Sequence, residues 1–241
     1  MNDSSLFILW PYAALALLVV GTAFRYVLAR RRPDLLAAEM SEAKAVFGGK
    51  IFWFSMVLLI VAHLVGLLLP RALLNWNASP ARLYVLEGLG FGLGLAAAVT
   101  GFILVWKHLG RSGNSLLAEI CDTVFLALLL VVVVSGLMVA MKYRWGSSWG
   151  AMILTPYVVS VLRGTPALNF ITELQPLVKL HVLSTVAAVA VIPLTRLSTL
   201  VVSVLHISVG LAGWPFSAAG KAAESWIRKH NPSAWFWPEE D

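Results

Sequence analysis

Charge is scarce in this chain. Only 12% of its 241 residues are Asp, Glu, Lys or Arg, while 59% are hydrophobic; a soluble domain carries about 25% charged residues. The deficit is spread over several long apolar runs, which excludes a soluble globular fold and identifies an integral membrane protein. Cysteine is almost missing as well. The single Cys121 excludes an internal disulfide, a Cys-based cluster and a Cys zinc site. Acidic residues within the apolar runs are few and no inverted repeat is visible, which weighs against a transporter. No internal repeat and no low-complexity segment is present. The start, Met1-Asn2-Asp3-Ser4-Ser5, lacks a basic n-region, so no signal peptide is expected. The net charge of +6 does not call for nucleic acid, because basic residues flank membrane segments on their cytoplasmic side.

What is present is five stretches of spanning length, about 20 residues each: 6–28, 50–69, 83–106, 116–141, and a fifth from 177 past Arg196 toward His206. The expected fold is an all-α membrane protein, a five-transmembrane-helix bundle. Placing the N-terminus outside puts 12 of the 18 basic residues on the cytoplasmic side, the sense that the positive-inside rule requires. An odd number of spans then leaves the C-terminus in the cytoplasm. Residues 1–209 form the expected membrane domain and 210–241 a cytoplasmic tail. Trp214, Trp226, Trp235 and Trp237 in that tail read either as an interfacial belt or as anchors for a partner. The stretch 142–176 is long for a helix connection. Its apolar part, 152–162, is too short to span and reads as an interfacial or re-entrant piece over the outer mouth of the bundle. Gly88, Gly90, Gly92, Gly94 and Gly101 in the third span read as close helix packing, with Gly90 and Gly94 as a small-xxx-small pair.

Two histidines fall inside spans. His63 lies about seven residues from the outer end of the second span and His181 about five from the outer start of the fifth, depths of roughly 10 Å and 7 Å. The two spans are antiparallel, so both imidazoles lie at similar height in the outer third of the bilayer. That is the condition for two axial ligands on one haem iron. The alternative is two unrelated histidines hydrogen-bonding between helices. His108 reads as a solvated loop residue, His206 lies too far along its helix to share an iron with His63, and His230 belongs to the polar tail. Arg71, Arg82 and Lys179 gather on the outer side, where haem propionates want cations; snorkelling explains them equally. Glu87 reads either as a proton acceptor for a quinol or as a headgroup-level partner of Arg82 or Lys179. Asp122 reads as structural.

Trp10-Pro11-Tyr12, Lys50-Ile51-Phe52-Trp53 through Ala62-His63-Leu64-Val65-Gly66, and Lys179-Leu180-His181 through Pro193-Leu194-Thr195-Arg196-Leu197 resemble the gamma subunit, the haem b membrane anchor, of respiratory nitrate reductase. The resemblance covers roughly residues 8–200. It implies a subunit of the cell inner membrane that takes electrons from quinol at the outer face and passes them to iron–sulfur and molybdenum subunits. The family binds two b haems with four histidines. His63 and His181 fall on its distal pair; Trp53 and Thr199 stand where it has the proximal pair, and neither replaces a strong ligand. The resemblance therefore implies one haem b here. The family's quinol-site lysine falls near Arg82 or Leu83, so Glu87 and Arg82 mark the expected quinol site, with Arg71 and Lys179 near the haem.

Two functions follow. One is an electron-transfer subunit of an oxidoreductase complex of the nitrate reductase or nitrite oxidoreductase type, not catalytic alone. Its redox partner is then the usual pair of subunits or, with no proximal haem to carry electrons inward, a cytochrome c or an exported molybdoenzyme outside. The other is a structural membrane anchor that has no electron-transfer role of its own.

Overall fold

The computed structural model describes residues 5–110, 115–205, 221, 222 and 225, with the backbone alone at 5 and 33–37. It is helical, with no strand among the described residues. The helices are α1 (Trp10–Arg31), α2 (Pro33–Val46), α3 (Lys50–Leu68), α4 (Pro70–Asn77), α5 (Pro80–Leu109), α6 (Leu116–Lys142), α7 (Gly146–Leu162), α8 (Asn169–Thr172) and α9 (Pro176–Val191), and residues 197–205 are helical as well. A π-turn, Ser5–Leu9, leads into α1, and a 3₁₀ turn, Ile192–Leu194, closes α9. Five stretches are long and apolar enough to cross a membrane: Leu6–Arg31, Lys50–Leu68, Pro80–Leu109, Leu116–Lys142 and Pro176–Leu194. The chain is thus the expected five-span, all-α membrane protein.

Proline sets many of the boundaries. Pro11, Pro70, Pro80 and Pro176 sit in first turns, where the missing N–H costs nothing and the fixed φ favours a helix. Pro70 also ends α3, because the residue before a proline is pushed out of the helical region; Leu69 has φ −127° and ψ 50°. Pro193 interrupts the fifth span after Val191, and the chain is helical again over 197–205, the last described residues before His206. His206, His230 and the tail tryptophans lie outside the described residues, and the chain divides into two units between Thr199 and Leu200.

In the first unit α6 packs on α5 and α9, α5 on α3, and α9 on α1. The spans thus follow one another as α3, α5, α6, α9, α1, and α3 and α9 are not a packed pair. The end carrying His63 and His181 is termed outer, following the orientation expected from the basic residues. There α7 packs on α3 and α4, and its Tyr157 and Val161 form a buried cluster with Phe7 and Ile171. Tyr157 donates to Phe7 O at 2.6 Å and Tyr12 donates to Val161 O at 2.9 Å. The short apolar piece expected over the outer mouth is therefore a helix of 17 residues, pinned to the start of α1. Many apolar side chains of the spans face outward, among them Val19, Val20 and Phe24 of α1 and Phe102 and Trp106 of α5. That is the pattern lipid requires.

The inner end is tied by charge. Asp122 of α6 is fully buried and Arg196 nearly so, 0% and 5% exposed. The turn at Pro193 takes the Arg196 N–H out of any helix ladder, and Asp122 Oδ1 accepts it at 2.9 Å while Oδ2 accepts Nη1 at 2.9 Å. Arg196 Nε reaches Glu42 of α2 at 3.0 Å. Alongside, Arg25 of α1 pairs with Glu39 of α2 at 3.1 Å and donates to Ser198 Oγ at 2.9 Å. Helix α2, which the sequence did not announce, is thus held under the bundle by two ion pairs. Losing one partner of a buried pair costs about 3–5 kcal/mol, whereas a partly exposed pair is worth about 0–1 kcal/mol. Asp122→Ala is expected to lower the unfolding midpoint in detergent far more than Glu39→Ala does; equal shifts would show that burial of Asp122 does not matter.

Candidate functional site

His63 and His181 meet across the side where α3 and α9 do not pack. Their ring centroids are 6.3 Å apart and the rings are inclined by 41°. A metal–imidazole bond is about 2.0–2.1 Å and the ring centre lies about 1.1 Å behind the ligating nitrogen, so two imidazoles on opposite sides of one metal stand roughly 6 Å apart. The observed spacing is close to that value.

The hydrogen bonds fix the tautomer of each ring. His63 Nδ1 lies 2.7 Å from Leu59 O, and His181 Nδ1 lies 3.0 Å from Val132 O. A carbonyl only accepts, so each Nδ1 carries the proton and donates it. Each Nε2 is then a bare lone pair, and among the described residues neither has a hydrogen-bond partner. A metal-ligating histidine has this arrangement, with its second ring nitrogen donating to a carbonyl. The rings differ in surroundings: His63 is exposed, while His181 is half-buried against α6. A methyl group on Gly136 would stand 2.9 Å from His181 Cε1, so the ring occupies the space that this glycine leaves. Gly136 is a site residue the sequence reading missed, hidden among the apolar residues of α6.

The glycines of α5 divide along one face. Gly94 and Gly101 pack as expected: methyl groups there would stand 2.8 Å from Leu137 Cδ2 and 2.8 Å from Phe52 Cε2. Gly90, one turn outward on the same face, meets nothing within 4 Å. The expected Gly90–Gly94 packing pair is therefore half right. The outer turn of this face is open rather than packed.

The expected cations and acid take other partners. Glu87 does not pair with Arg82 or Lys179: its Oε1 accepts the Ser147 N–H at 2.9 Å and the Ser147 hydroxyl at 2.7 Å, capping the first turn of α7. The Ser147 hydroxyl, having given its proton to the carboxylate, accepts from Asn77 Nδ2 at 3.0 Å. Arg82 lies 5.1 Å over the Trp76 ring and donates to Asn75 O at 3.4 Å. Lys179 Nζ donates to Thr172 O at 3.0 Å, and Arg71 is exposed in the first turn of α4. These residues share the outer end without converging on one point.

His108 is not a solvated loop residue. α5 runs on to Leu109, which carries the ring against α6, where it is 5% exposed with Nε2 3.4 Å from Glu119 O. Trp53 and Thr199, at the inner end, are packed rather than vacant positions. Trp53 stacks edge-on against Phe52 and Phe47, with centroids 5.2 and 6.0 Å away. Thr199 donates to Glu39 Oε2 at 2.9 Å and accepts from Arg25 Nη2 at 3.4 Å. Among the described residues no group of three or more His, Cys, Asp or Glu gathers as a metal site; the facing histidines are a pair.

The fold is that of a polytopic helical membrane protein, with the His63 and His181 rings 6.3 Å apart on two of its spans. The nitrate reductase gamma subunit family matches residues 3–213, and the chain belongs to that family. No individual curated protein matches it. Membership points to a membrane-anchored redox subunit that works with other nitrate reductase subunits.

The cap on α7 has a measurable worth. Loss of a helix cap costs about 1 kcal/mol, so Glu87→Ala is expected to lower the unfolding midpoint in detergent modestly, while Glu87→Gln, which keeps an acceptor for Ser147, stays close to wild type. A Glu87→Gln loss as large as that of Glu87→Ala would show that the carboxylate charge, not the cap, carries the effect.

Proposed function

We propose that this chain is the haem b-carrying membrane subunit of a respiratory oxidoreductase complex, exchanging electrons between the quinone pool and partner redox subunits. The observation that carries this reading is the pair of bare Nε2 atoms on rings 6.3 Å apart, each fixed in its tautomer by a carbonyl. His63 and His181 would be the axial ligands, and the space bordered by Gly90 would receive the macrocycle. Bound there, haem b would supply one-electron iron chemistry, with its potential set by the ligands and their surroundings. Arg71 and Lys179, at the same end, would be the cations to receive propionates, Lys179 by giving up its bond to Thr172 O.

The chain would hold one haem. The inner positions, Trp53 and Thr199, offer an aromatic stack and a hydroxyl bound to an ion pair, and neither is a haem ligand. A quinol would approach at the outer end, where Glu87, held by Ser147, would take up a proton; Arg82 stacks on Trp76 at the same end. Electrons would pass to iron–sulfur and molybdenum subunits, or to an acceptor on the outer side such as a cytochrome c. The membrane would be the cell inner membrane, with the N-terminus outside. A structural anchor with no electron-transfer role is the competing reading, and haem content separates the two.

The purified chain is expected to show a low-spin b-type spectrum and one haem per chain by pyridine haemochrome assay. His63→Ala and His181→Ala should each abolish the low-spin spectrum, and His108→Ala should leave it unchanged. A wild-type chain with no Soret band would establish the structural anchor instead, and a second b haem per chain would overturn the one-haem reading.

A further inference from the structure

The two imidazoles are held with unequal firmness. His63 hydrogen-bonds within its own helix, to Leu59 O four residues back, and is exposed. Among the described residues no hydrogen bond from another span holds its ring. His181 is held from a neighbouring span. Its Nδ1–H donates to Val132 O of α6 at 3.0 Å, and Ser135 Oγ lies 3.2 Å from the same nitrogen. Ser135 is buried and gives its hydroxyl proton to Val132 O at 3.0 Å, so lone pairs of its oxygen are turned toward the His181 N–H, which is shared between two acceptors. Gly136, the next residue, leaves the room the ring fills. One turn of α6 thus supplies an acceptor pair and a recess, and together they fix the rotamer, the tautomer and the direction of Nε2.

We propose that His181 is the fixed axial ligand and His63 the labile one, and that Ser135 is a positioning residue that holds His181 toward the iron. The proposal rests on the haem reading above. A ligand fixed before the metal arrives loses less freedom on binding than one that must be ordered. The His181 side of the iron is accordingly the side that retains it, and the His63 side is the one that opens. A hydrogen bond to the far nitrogen of a ligating imidazole also raises its basicity, so Ser135 contributes to the potential as well as to the position.

The test uses the full chain purified in detergent. His63→Gly is expected to keep its haem in a five-coordinate, high-spin form that binds carbon monoxide and returns to low spin on adding imidazole. His181→Gly is expected to lose its haem, and added imidazole should not restore it. Ser135→Ala should weaken haemin binding by about 10-fold, the lower end of the effect of removing a partner of a metal ligand, and raise the midpoint potential of the bound haem. Thr123→Ala removes a similar own-helix hydroxyl bond, to Glu119 O, about 18 Å further along α6, and should change neither quantity. Equal haem retention by the two histidine variants, or wild-type affinity and potential in Ser135→Ala, overturns the proposal while leaving a low-spin wild-type haem intact. A wild-type chain without low-spin haem overturns this proposal and the haem reading together.

Discussion

An imidazole in hydrocarbon has two nitrogens to account for, and that constraint organises the outer half of this protein. Each of the two intramembrane histidines settles one nitrogen by donating to a backbone carbonyl, which leaves the other as a lone pair. Leaving a polar atom unmatched inside a membrane costs several kcal/mol. Two such atoms on rings 6.3 Å apart are what the proposed ligand would satisfy. The helix order serves this end. α5 and α6 lie between the two histidine-bearing spans, and glycines on both set how closely the neighbouring side chains approach.

The inner half solves a different problem. Pro193 interrupts the fifth span and frees backbone groups that no helix satisfies. Asp122 takes up the released N–H and the guanidinium of Arg196 together, and α2 adds Glu42 and Glu39 from below. The same network surrounds Thr199, while Trp53 is fixed by two phenylalanines. The chain thus spends its inner end on closure and its outer end on a gap. This difference between the ends is the physical basis for proposing one cofactor rather than two.

Much of this architecture was legible in the sequence. Apolar runs of bilayer length mark the five spans, because only helices of that length satisfy their own backbone in lipid. The matched depths of His63 and His181 followed from counting residues along antiparallel helices, and the rings do meet. What was not legible depends on contacts distant in sequence. Nothing near Glu87 shows that it will cap α7 some 60 residues later. Nothing near Asp122 shows that Arg196 will need it, and Gly136 is one small residue in an apolar helix until the His181 ring is set against it. Helix α2 carries too mixed a composition to read as a span, and its role emerges only from its ion pairs. His108 was misplaced by a boundary error of three residues, enough to turn a loop residue into a buried one.

The central claim is that His63 and His181 ligate one iron from opposite sides. Near-infrared magnetic circular dichroism of the oxidised, purified chain tests it most directly, because the energy of the ligand-to-metal band identifies the axial pair. The account requires the band of two neutral imidazoles, absent from both His63→Ala and His181→Ala. A band from any other ligand pair, or a bis-imidazole band that survives either substitution, would contradict it.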